Sequence, residues 1–362
     1  MSHVEALIAS DRDWLTTLQD KYKISVNRDG RLVSLKYNQI ESPMHEPIVQ
    51  ECRGMVVDTE SATVLAWPYN KFWNYGDVPA AQIDWSTARC LEKLDGSLMI
   101  LYWDDEANEW AVASSGTPRA GGSFGDADTT FRDVFWETWA DLNMRVPDED
   151  VNACFMFELC TAGNRIVVQH DKPRIVLHGA RTLSSGNEWE WRGLQYAAAL
   201  YGWELVKSYP LTCIEDCLAA ADALDPIQCE GFIVVDAQFN RIKIKSPRYV
   251  VLHHMKGEAT QRRAIELWQS GDAKELLGYF PEMAPQILPV HERLDTLANR
   301  AALLVAAHGD LPRKDFAAVA KQHPFSSVAF KLYGSTPTVD AALAVMRSAS
   351  LASLERMLEV QP

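Results

Sequence analysis

A lysine stands at the start of an apolar run in the segment CLEKLDGSLMILYW, which covers Cys90 to Trp103. Lys93 is followed by Asp95 and Gly96, so the four residues from the lysine read Lys-Leu-Asp-Gly. An amine can act as a covalent nucleophile when burial or neighbouring cations keep part of it neutral at pH 7. The glycine would let a large substrate approach the backbone closely. Asp-Gly between apolar runs is also a hairpin signal, and the segment taken alone favours that turn.

Other charged and aromatic residues recur beside strand-like segments on both sides of Lys93. Taken singly, each has an ordinary structural explanation, such as a buried salt bridge, a solvated strand face or core packing. They are Arg53 and Gly54 in ECRGMVVD, Lys71, Phe72 and Trp73 in NKFWN, Glu158 in FMFELCTAGNRIV, Glu230 in CEGFIVVD, and Lys243, Lys245 and Tyr249 in RIKIKSPRYV.

In this order the segments resemble the covalent nucleotidyltransferase superfamily, which contains ATP-dependent ligases and mRNA capping enzymes. KLDG resembles its motif I, FMFE motif III, EGFIVV motif IV and KIK motif V. The finer resemblance is to the RNA ligase 1 family of bacteriophage T4. That family adds an ECRG segment, a lysine among aromatics, a serine after the nucleophile loop, NRIV after motif III and a tyrosine soon after KIKS. Six motifs in one order are far more specific than one tetrapeptide, and they cover about residues 30 to 250.

The resemblance implies an ATP-dependent RNA ligase that joins ends in three steps. Lys93 would attack the α-phosphorus of ATP and carry AMP covalently. AMP would then pass to the 5′-phosphate of an RNA end, and a 3′-hydroxyl would displace it. Lys243 and Lys245, two residues apart and therefore on one face of a strand, would stabilise the charge that develops on the α-phosphate.

The same resemblance implies the contacts to the rest of the nucleotide. Arg53, with Gly54 beside it, and Lys71 would reach the ribose or the β- and γ-phosphates. Phe72 or Trp73 would stack on adenine.

A divalent cation, Mg²⁺ or Mn²⁺, would neutralise the triphosphate, held largely through waters by carboxylates. Glu158 and Glu230 are its predicted ligands, and Glu158 is alternatively a ligand of the ribose hydroxyls. Asp95 and Gly96 would complete the nucleophile loop, and Tyr249 would contact the nucleotide.

The sequence departs from the family at one position. Where the family has a lysine in a Lys-Gly segment after the nucleophile strand, this chain has Ser115 before Gly116. The loss of a phosphate or RNA contact there would affect rate or substrate range, while the nucleotidyl-transfer residues are all present.

The predicted substrates are RNA ends with a 5′-phosphate and a 3′-hydroxyl, of which a broken tRNA would be one example. The chain contains no G-x-x-x-x-G-K-[ST] kinase loop. A separate polynucleotide kinase and phosphatase would therefore prepare the ends.

Two kinds of element must position these residues. Up to about residue 250, short β-rich runs alternate with turn signals, which indicates an α+β nucleotidyltransferase domain, similar to ATP-grasp-like ligases, with antiparallel sheets. The runs are LVSLKY, GMVVD, ATVLAW, SLMILYW, EWAVASS, ACFMFEL, NRIVVQ, RIVLHGA, GFIVVD and RIKIKS, and helical patterns occur at the N-terminus and around TTFRDVFWETWADLN.

Beyond Arg248 the apolar residues take helical spacing, for example at Leu294, Leu297, Ala301 and Leu304. Gly309 then stands where a helix would end. We therefore predict an adenylyltransferase domain over residues 1–252 and an all-α domain over residues 253–362, which by resemblance would contact RNA or tRNA. Packing and stabilisation alone is an equal interpretation of the second domain.

Composition limits the other classes of function. The chain has 362 residues, 47% of them hydrophobic, and a net charge of −14 that lies entirely in residues 1 to 255, which argues against a general nucleic-acid binder. Seven dispersed cysteines indicate neither a zinc site nor a disulfide framework. Without an apolar leader or a membrane span, we expect a soluble monomer in the cytoplasm, or in the host cytoplasm if a phage encodes it.

Other readings share part of the pattern. A DNA ligase or capping enzyme would follow motif V with an OB-fold of short strands, and an NAD-dependent ligase would need a zinc finger. A binding module without catalysis, or a nucleotidyltransferase acting on a protein or a small molecule, would share the first half-reaction or its residues.

Overall fold

The computed structural model describes residues 1–125, 128–256 and 260–359. The chain divides into two compact units, Met1–Val250 and Val251–Pro362.

The strands of the first unit, over its described residues, largely follow the β-rich runs of the sequence. They are β1 (Ile24–Asp29), β2 (Leu32–Tyr37), β3 (Arg53–Asp58), β4 (Thr63–Ala66), β5 (Trp73–Asn74), β6 (Arg89–Lys93), β7 (Ser97–Asp104), β8 (Glu109–Ser114), β9 (Ala153–Cys160), β10 (Arg174–Thr182), β11 (Glu204–Leu205), β12 (Ser208–Tyr209), β13 (Gly231–Val235) and β14 (Arg241–Lys245).

These strands form three sheets. Their strand orders are β1-β2-β3-β4, β11-β10-β9-β7-β8 and β12-β6-β13-β14-β5. Among the described strands, β10 with β11 and β14 with β5 are parallel pairs, and the other neighbours are antiparallel. The predicted α+β class with antiparallel sheets is confirmed.

The strand predicted at NRIVVQ is wrong. Residues 164–169 form turns and bends. The backbone N–H groups of Val167 and Val168 donate to a carboxylate oxygen of Asp95, at 2.7 and 2.6 Å. Since a side chain satisfies these donors, the segment has no need of a partner strand.

The helices of the first unit cover the ends and faces of the sheets. Helix α4 begins with a capping box, in which Thr130 and Asp133 satisfy each other's backbone N–H groups. The helices are α1 (His3–Ser10), α2 (Trp14–Asp20), α3 (Pro47–Glu51), α4 (Phe131–Asp141), α5 (Trp191–Tyr201), α6 (Ile214–Ala223) and α7 (Pro247–Lys256), the last of which continues past Val250.

Strand β9 lies in the middle of the second sheet and is covered on both faces. Phe155 and Phe157 pack into the cluster formed with α4 and α5, whereas Cys154 and Met156 belong to a cluster on the opposite face. Glu158 continues that opposite face and is the only partly exposed residue of the strand. The strand therefore delivers one carboxylate to the edge of a packed core.

The second unit is helical throughout its described residues. Its elements are α8 (Gln261–Ser270), α9 (Ala273–Tyr279), a 3₁₀ turn (Pro281–Met283), α10 (Ala284–His308), α11 (Arg313–Ala320), α12 (Ser326–Leu332), α13 (Val339–Arg347) and α14 (Leu351–Glu359).

Helix α10 provides the centre of this unit's core. Leu294, Leu297 and Ala301 are buried in it and Leu304 is partly buried against it. Gly309 caps the helix, as its position in the sequence predicts, although with right-handed helical backbone angles. Within the described residues, the structure has no helix both long enough and apolar enough to cross a membrane.

Candidate active site

The third sheet sets three lysines on one face. Lys93 is aligned with Gly231, and Gly231 with Lys245, across the strands β6, β13 and β14. Lys243 lies two residues before Lys245 in β14 and therefore shares its face. Gly231 has a φ of +148°, and a Cβ there would overlap the carbonyl oxygen of Ile244. The absence of a side chain at this position lets the two outer lysines face each other.

Glu230 bridges these two outer lysines. Its Oε2 lies 2.6 Å from Nζ of Lys93 and its Oε1 lies 3.0 Å from Nζ of Lys245. The Glu230 side chain is 4% exposed, so both contacts act largely out of water. Buried carboxylates are normally paired in this way, and the pairing fixes the position of the amine of Lys93.

Asp95 anchors the loop that follows the lysine. Besides Val167 and Val168, the hydroxyl of Tyr249 donates to its carboxylate, at 3.1 Å. Burial raises the pKa of Asp95, although these three donors oppose the shift. Asp95 therefore acts on the site as a positioning residue, and so does Tyr249, which is itself buried.

Gly96 is required where β7 begins beside β9. A Cβ at Gly96 would overlap the carbonyl oxygen of Leu159 and come within 3.1 Å of the side chain of Glu158. The glycine of the Lys-Leu-Asp-Gly segment thus allows the nucleophile loop to approach the strand that carries Glu158. The hairpin interpretation of Asp-Gly does not apply, since β6 and β7 belong to different sheets.

A group of cations surrounds Phe72. The guanidinium carbon of Arg53 lies 5.1 Å and Nζ of Lys243 lies 4.7 Å from the centre of the Phe72 ring. Burial, together with the nearby charges of Arg53 and Lys93, lowers the pKa of Lys243 to about 7. Nη1 of Arg53 is buried and has no hydrogen-bond partner in the described part of the chain. Cations that lack matching anions, and a buried donor without an acceptor, fit a polyanionic ligand.

One cavity is lined by six of the predicted residues. It has a volume of about 270 Å³. Of the residues singled out in the sequence, those that line it are Arg53, Phe72, Lys93, Gly96, Glu158 and Lys243. We call it the nucleotide cavity. Glu230 adjoins it through its contact with Lys93, and Lys245 through its contact with Glu230.

Lys71 and Trp73 lie outside the nucleotide cavity. Both line a neighbouring cavity, which also borders Phe72. Nζ of Lys71 lies 3.2 Å from the side-chain oxygen of Gln39 and 5.0 Å from the ring centre of Tyr37. Of the two aromatics predicted to stack on adenine, Phe72 alone faces the nucleotide cavity.

Ser115, which stands where the family has a lysine, lies next to Gly54. Gly54 has a φ of +95°, and a Cβ there would stand 2.9 Å from the Cα of Ser115. Residue 115 is thus beside the segment that carries Arg53. A lysine at this position would enter the same group of cations.

Sequence patterns alone missed three residues of the cavity wall. Nε2 of His178 lies 3.6 Å from Oε2 of Glu158, and the hydroxyl of Tyr69 lies 3.0 Å from the other ring nitrogen of His178. Arg241 pairs with Glu188 at 2.5 Å. Arg241 occurs two residues before Lys243 in RIKIK, and this spacing could have predicted that Arg241 lies on the same strand face. His178 could have been found as a polar residue inside an apolar strand.

The predicted metal ligands, Glu158 and Glu230, suit a metal ion that is bound mainly by water and substrate oxygens. They do not form a site in which protein side chains alone bind the ion. In the described part of the chain, no group of three or more His, Cys, Asp or Glu residues could hold a metal ion. Both oxygens of Glu230 are engaged by lysines. Glu158, which projects into the cavity, is therefore the better of the two predicted ligands.

Known proteins are similar to this chain in sequence. Residues 51–249, from just before Arg53 to Tyr249, match the model of a family described as RNA ligase. A protein of Autographa californica nuclear polyhedrosis virus named "Putative bifunctional polynucleotide kinase/RNA ligase" is 24% identical in an alignment 355 residues long, and the match covers 91% of this chain and 49% of that protein. An RNA ligase of Rhodothermus phage RM378 is 25% identical in an alignment 278 residues long, and the match covers 60% of this chain and 63% of the relative.

The chain thus spans about half the length of the first relative and less than two thirds of the second. Among solved structures, an archaeal ATP-dependent RNA ligase is similar with a TM-score of 0.48 and 12% identity, over 80% of this chain and 79% of that one. The family match covers more than half of the chain. It includes the three lysines of the third sheet (Lys93, Lys243 and Lys245) together with Glu158 and Glu230. The protein therefore belongs to the RNA ligase family.

Proposed function

We propose that the protein is an ATP-dependent RNA ligase that works through AMP bound covalently to Lys93. The observation that carries this proposal is the alignment of Lys93 and Lys245 across Gly231, with Glu230 between the two amines. A partly buried amine, a proton acceptor at hydrogen-bond distance and further cations nearby are what nucleophilic attack on a phosphate requires.

In the first step, Nζ of Lys93 forms a bond to the α-phosphorus of ATP as the bond to pyrophosphate breaks. The lysine must lose a proton to do so, and Glu230 is placed to accept it. Lys243, charged once a phosphate lies beside it, and Lys245 stabilise the negative charge on the α-phosphate oxygens. Arg53 binds the phosphates or ribose through its unpaired Nη1.

In the second step, an oxygen of an RNA 5′-phosphate bonds to the same phosphorus, and the bond to Lys93 breaks. In the third, a 3′-hydroxyl attacks the phosphorus of the RNA 5′-phosphate, AMP leaves and the hydroxyl proton passes to solvent. Mg²⁺ or Mn²⁺, bound when ATP is present, would neutralise phosphate charge, with Glu158 as its first protein ligand.

The helical second unit favours RNA ligation over the DNA ligase and capping alternatives. Those classes place an OB-fold of strands after motif V, and the described residues after Val250 contain helices instead. We propose that this unit contacts structured RNA, such as a broken tRNA. A separate kinase and phosphatase would prepare the ends, and the expected monomer in the cytoplasm belongs to the same proposal.

Incubation with α-labelled ATP and Mg²⁺, followed by a denaturing gel, tests the first step. We expect label on the wild type, none on Lys93→Ala, and full label on Lys36→Ala, which removes an exposed lysine of β2. An unlabelled wild type, or label that persists on Lys93→Ala, would contradict the proposal. Addition of 5′-phosphorylated RNA or DNA then shows which strand the protein joins.

A further inference from the structure

A second cavity adjoins the nucleophile and is used by none of the roles above. It has a volume of about 350 Å³ and is bordered by Lys93 and Asp95 on one side. His170, Lys172 and Arg174 bring positive or hydrogen-bonding groups to its wall. A space of this size is typical of small-ligand sites and suits a single nucleotide. We call it the acceptor cavity.

Glu92, the residue before Lys93, also lines the acceptor cavity. The residue is only 9% exposed, and its Oε2 is buried without a hydrogen-bond partner among the residues that the structure describes. The guanidinium in the same cavity, that of Arg174, is bound to Glu204 instead, with an Nη2–Oε1 distance of 2.6 Å. A buried carboxylate oxygen without a donor lowers stability. A ligand that donates a hydrogen bond to Oε2 of Glu92 therefore best explains why this oxygen is buried.

The strand directs Glu92 away from the lysine face. Successive side chains of a strand point to opposite faces, and Glu92 is aligned with Phe232, which belongs to the core cluster behind the sheet. Atoms of Glu92 also border the nucleotide cavity. Strand β6 ends at Lys93, and the acceptor cavity is lined by Glu92, Lys93 and the loop residues Leu94 and Asp95. The cavity therefore lies at the end of the strand, where a group bound to Glu92 remains next to Lys93.

We propose that the acceptor cavity binds the last nucleotide of the RNA strand that supplies the 3′-hydroxyl, and that Glu92 accepts a hydrogen bond from its ribose 2′-hydroxyl. This inference rests on the proposed ligase function. A carboxylate accepts but cannot donate when ionised, so its natural partner is a hydroxyl. The 2′-hydroxyl distinguishes RNA from DNA. Lys172, exposed at the mouth of the cavity, would meet the strand's phosphate.

The third step isolates this site when the donor RNA already carries AMP. Acceptor strands that differ only in a 3′-terminal ribose or 2′-deoxyribose are compared by their KM. We expect a KM about tenfold lower for the ribose on the wild type, and loss of that difference in Glu92→Leu. Labelling of the variant with α-labelled ATP is measured in parallel, so that an effect on the first step is separated from the effect on the KM of the acceptor strand. The thermal midpoint of the variant should be unchanged or raised, because an unpaired buried carboxylate is gone.

Asp171→Asn is the matched control, because it removes a carboxylate that is exposed in the same cavity. It should keep the preference for ribose. A wild type without that preference would overturn the inference even if Glu92→Leu failed to fold. A Glu92→Leu protein that retains the preference for ribose would also overturn the inference. So would a Glu92→Leu protein whose KM for ATP rises instead, because that result would place Glu92 in the nucleotide cavity. A wild type that forms no labelled lysine would contradict the ligase proposal itself.

Discussion

Oε2 of Glu230 lies 2.6 Å from Nζ of Lys93. A carboxylate at this distance favours the charged form of the amine and fixes its position, so the amine must lose a proton before it can attack a phosphate. In the proposed reaction, the same contact would hold Lys93 in place and would put a proton acceptor beside it. This double role leads to the first prediction.

Glu230→Gln should lower both stability and labelling. The variant leaves Lys93 and Lys245 close together without their shared counter-charge, at a cost of about 1.5–3 kcal/mol in the free energy of unfolding. Labelling by α-labelled ATP should fall about a hundredfold or more, since a general base is lost. Urea unfolding and a labelling time course measure the two effects.

Glu204→Gln is the control for stability, because it breaks the more exposed pair with Arg174. It should cost less than about 1 kcal/mol. Equal losses in the two variants would show that the bridge at Glu230 has no special strength.

Binding of AMP should depend on pH through Lys243. Its pKa of about 7 in the free protein is below that of an ordinary lysine, so the side chain is mostly neutral at pH 8 to 9. A bound phosphate favours the charged form, so each binding event takes up a proton. As far as Lys243 is concerned, the affinity for AMP is then constant well below pH 7. Above pH 7 the affinity for AMP falls by up to about tenfold per pH unit.

Calorimetry in buffers of different ionisation enthalpy counts the protons taken up. Lys243→Arg keeps its charge at every pH used and should show neither proton uptake nor the loss of affinity. Wild-type binding without proton uptake between pH 8 and 9 would refute the role given to Lys243.

Ser115→Lys should strengthen the use of ATP. Since residue 115 adjoins Gly54, a lysine there would add a cation beside Arg53. We expect the KM for ATP in the labelling reaction to fall by about threefold to tenfold. Ser115→Met, which adds length without charge, should leave it unchanged. An equal effect of both variants would indicate packing and not charge.

Gly231→Ala should destabilise the first unit. At a φ of +148°, with the carbonyl oxygen of Ile244 in the way, the added methyl forces β13 and β14 apart. We expect a loss of about 1–3 kcal/mol in the free energy of unfolding. Gly116→Ala meets no atom within 4 Å and should be nearly neutral. A tolerated alanine at 231 would show that the two strands can separate at little cost.

The sequence by itself determined the features that depend on neighbours along the chain. Lys243 and Lys245 are two residues apart in a strand, and this spacing predicted that they share one face. The helical spacing of Leu294, Leu297 and Ala301 predicted that they lie in one core. Motif order identified the family from segments that are short but specific. Local patterns suffice for these because strand and helix periods repeat within a few residues.

The tertiary structure decided which distant segments meet. NRIVVQ has the composition of a strand, yet Asp95, some 70 residues earlier, takes its backbone donors. Glu230 binds Lys93, and Lys71 stands outside the nucleotide cavity, because sheet register and loop path determine these distances. Glu92 was overlooked for the same reason: a lone glutamate in a strand shows its unpaired oxygen only once the segments packed around it are known.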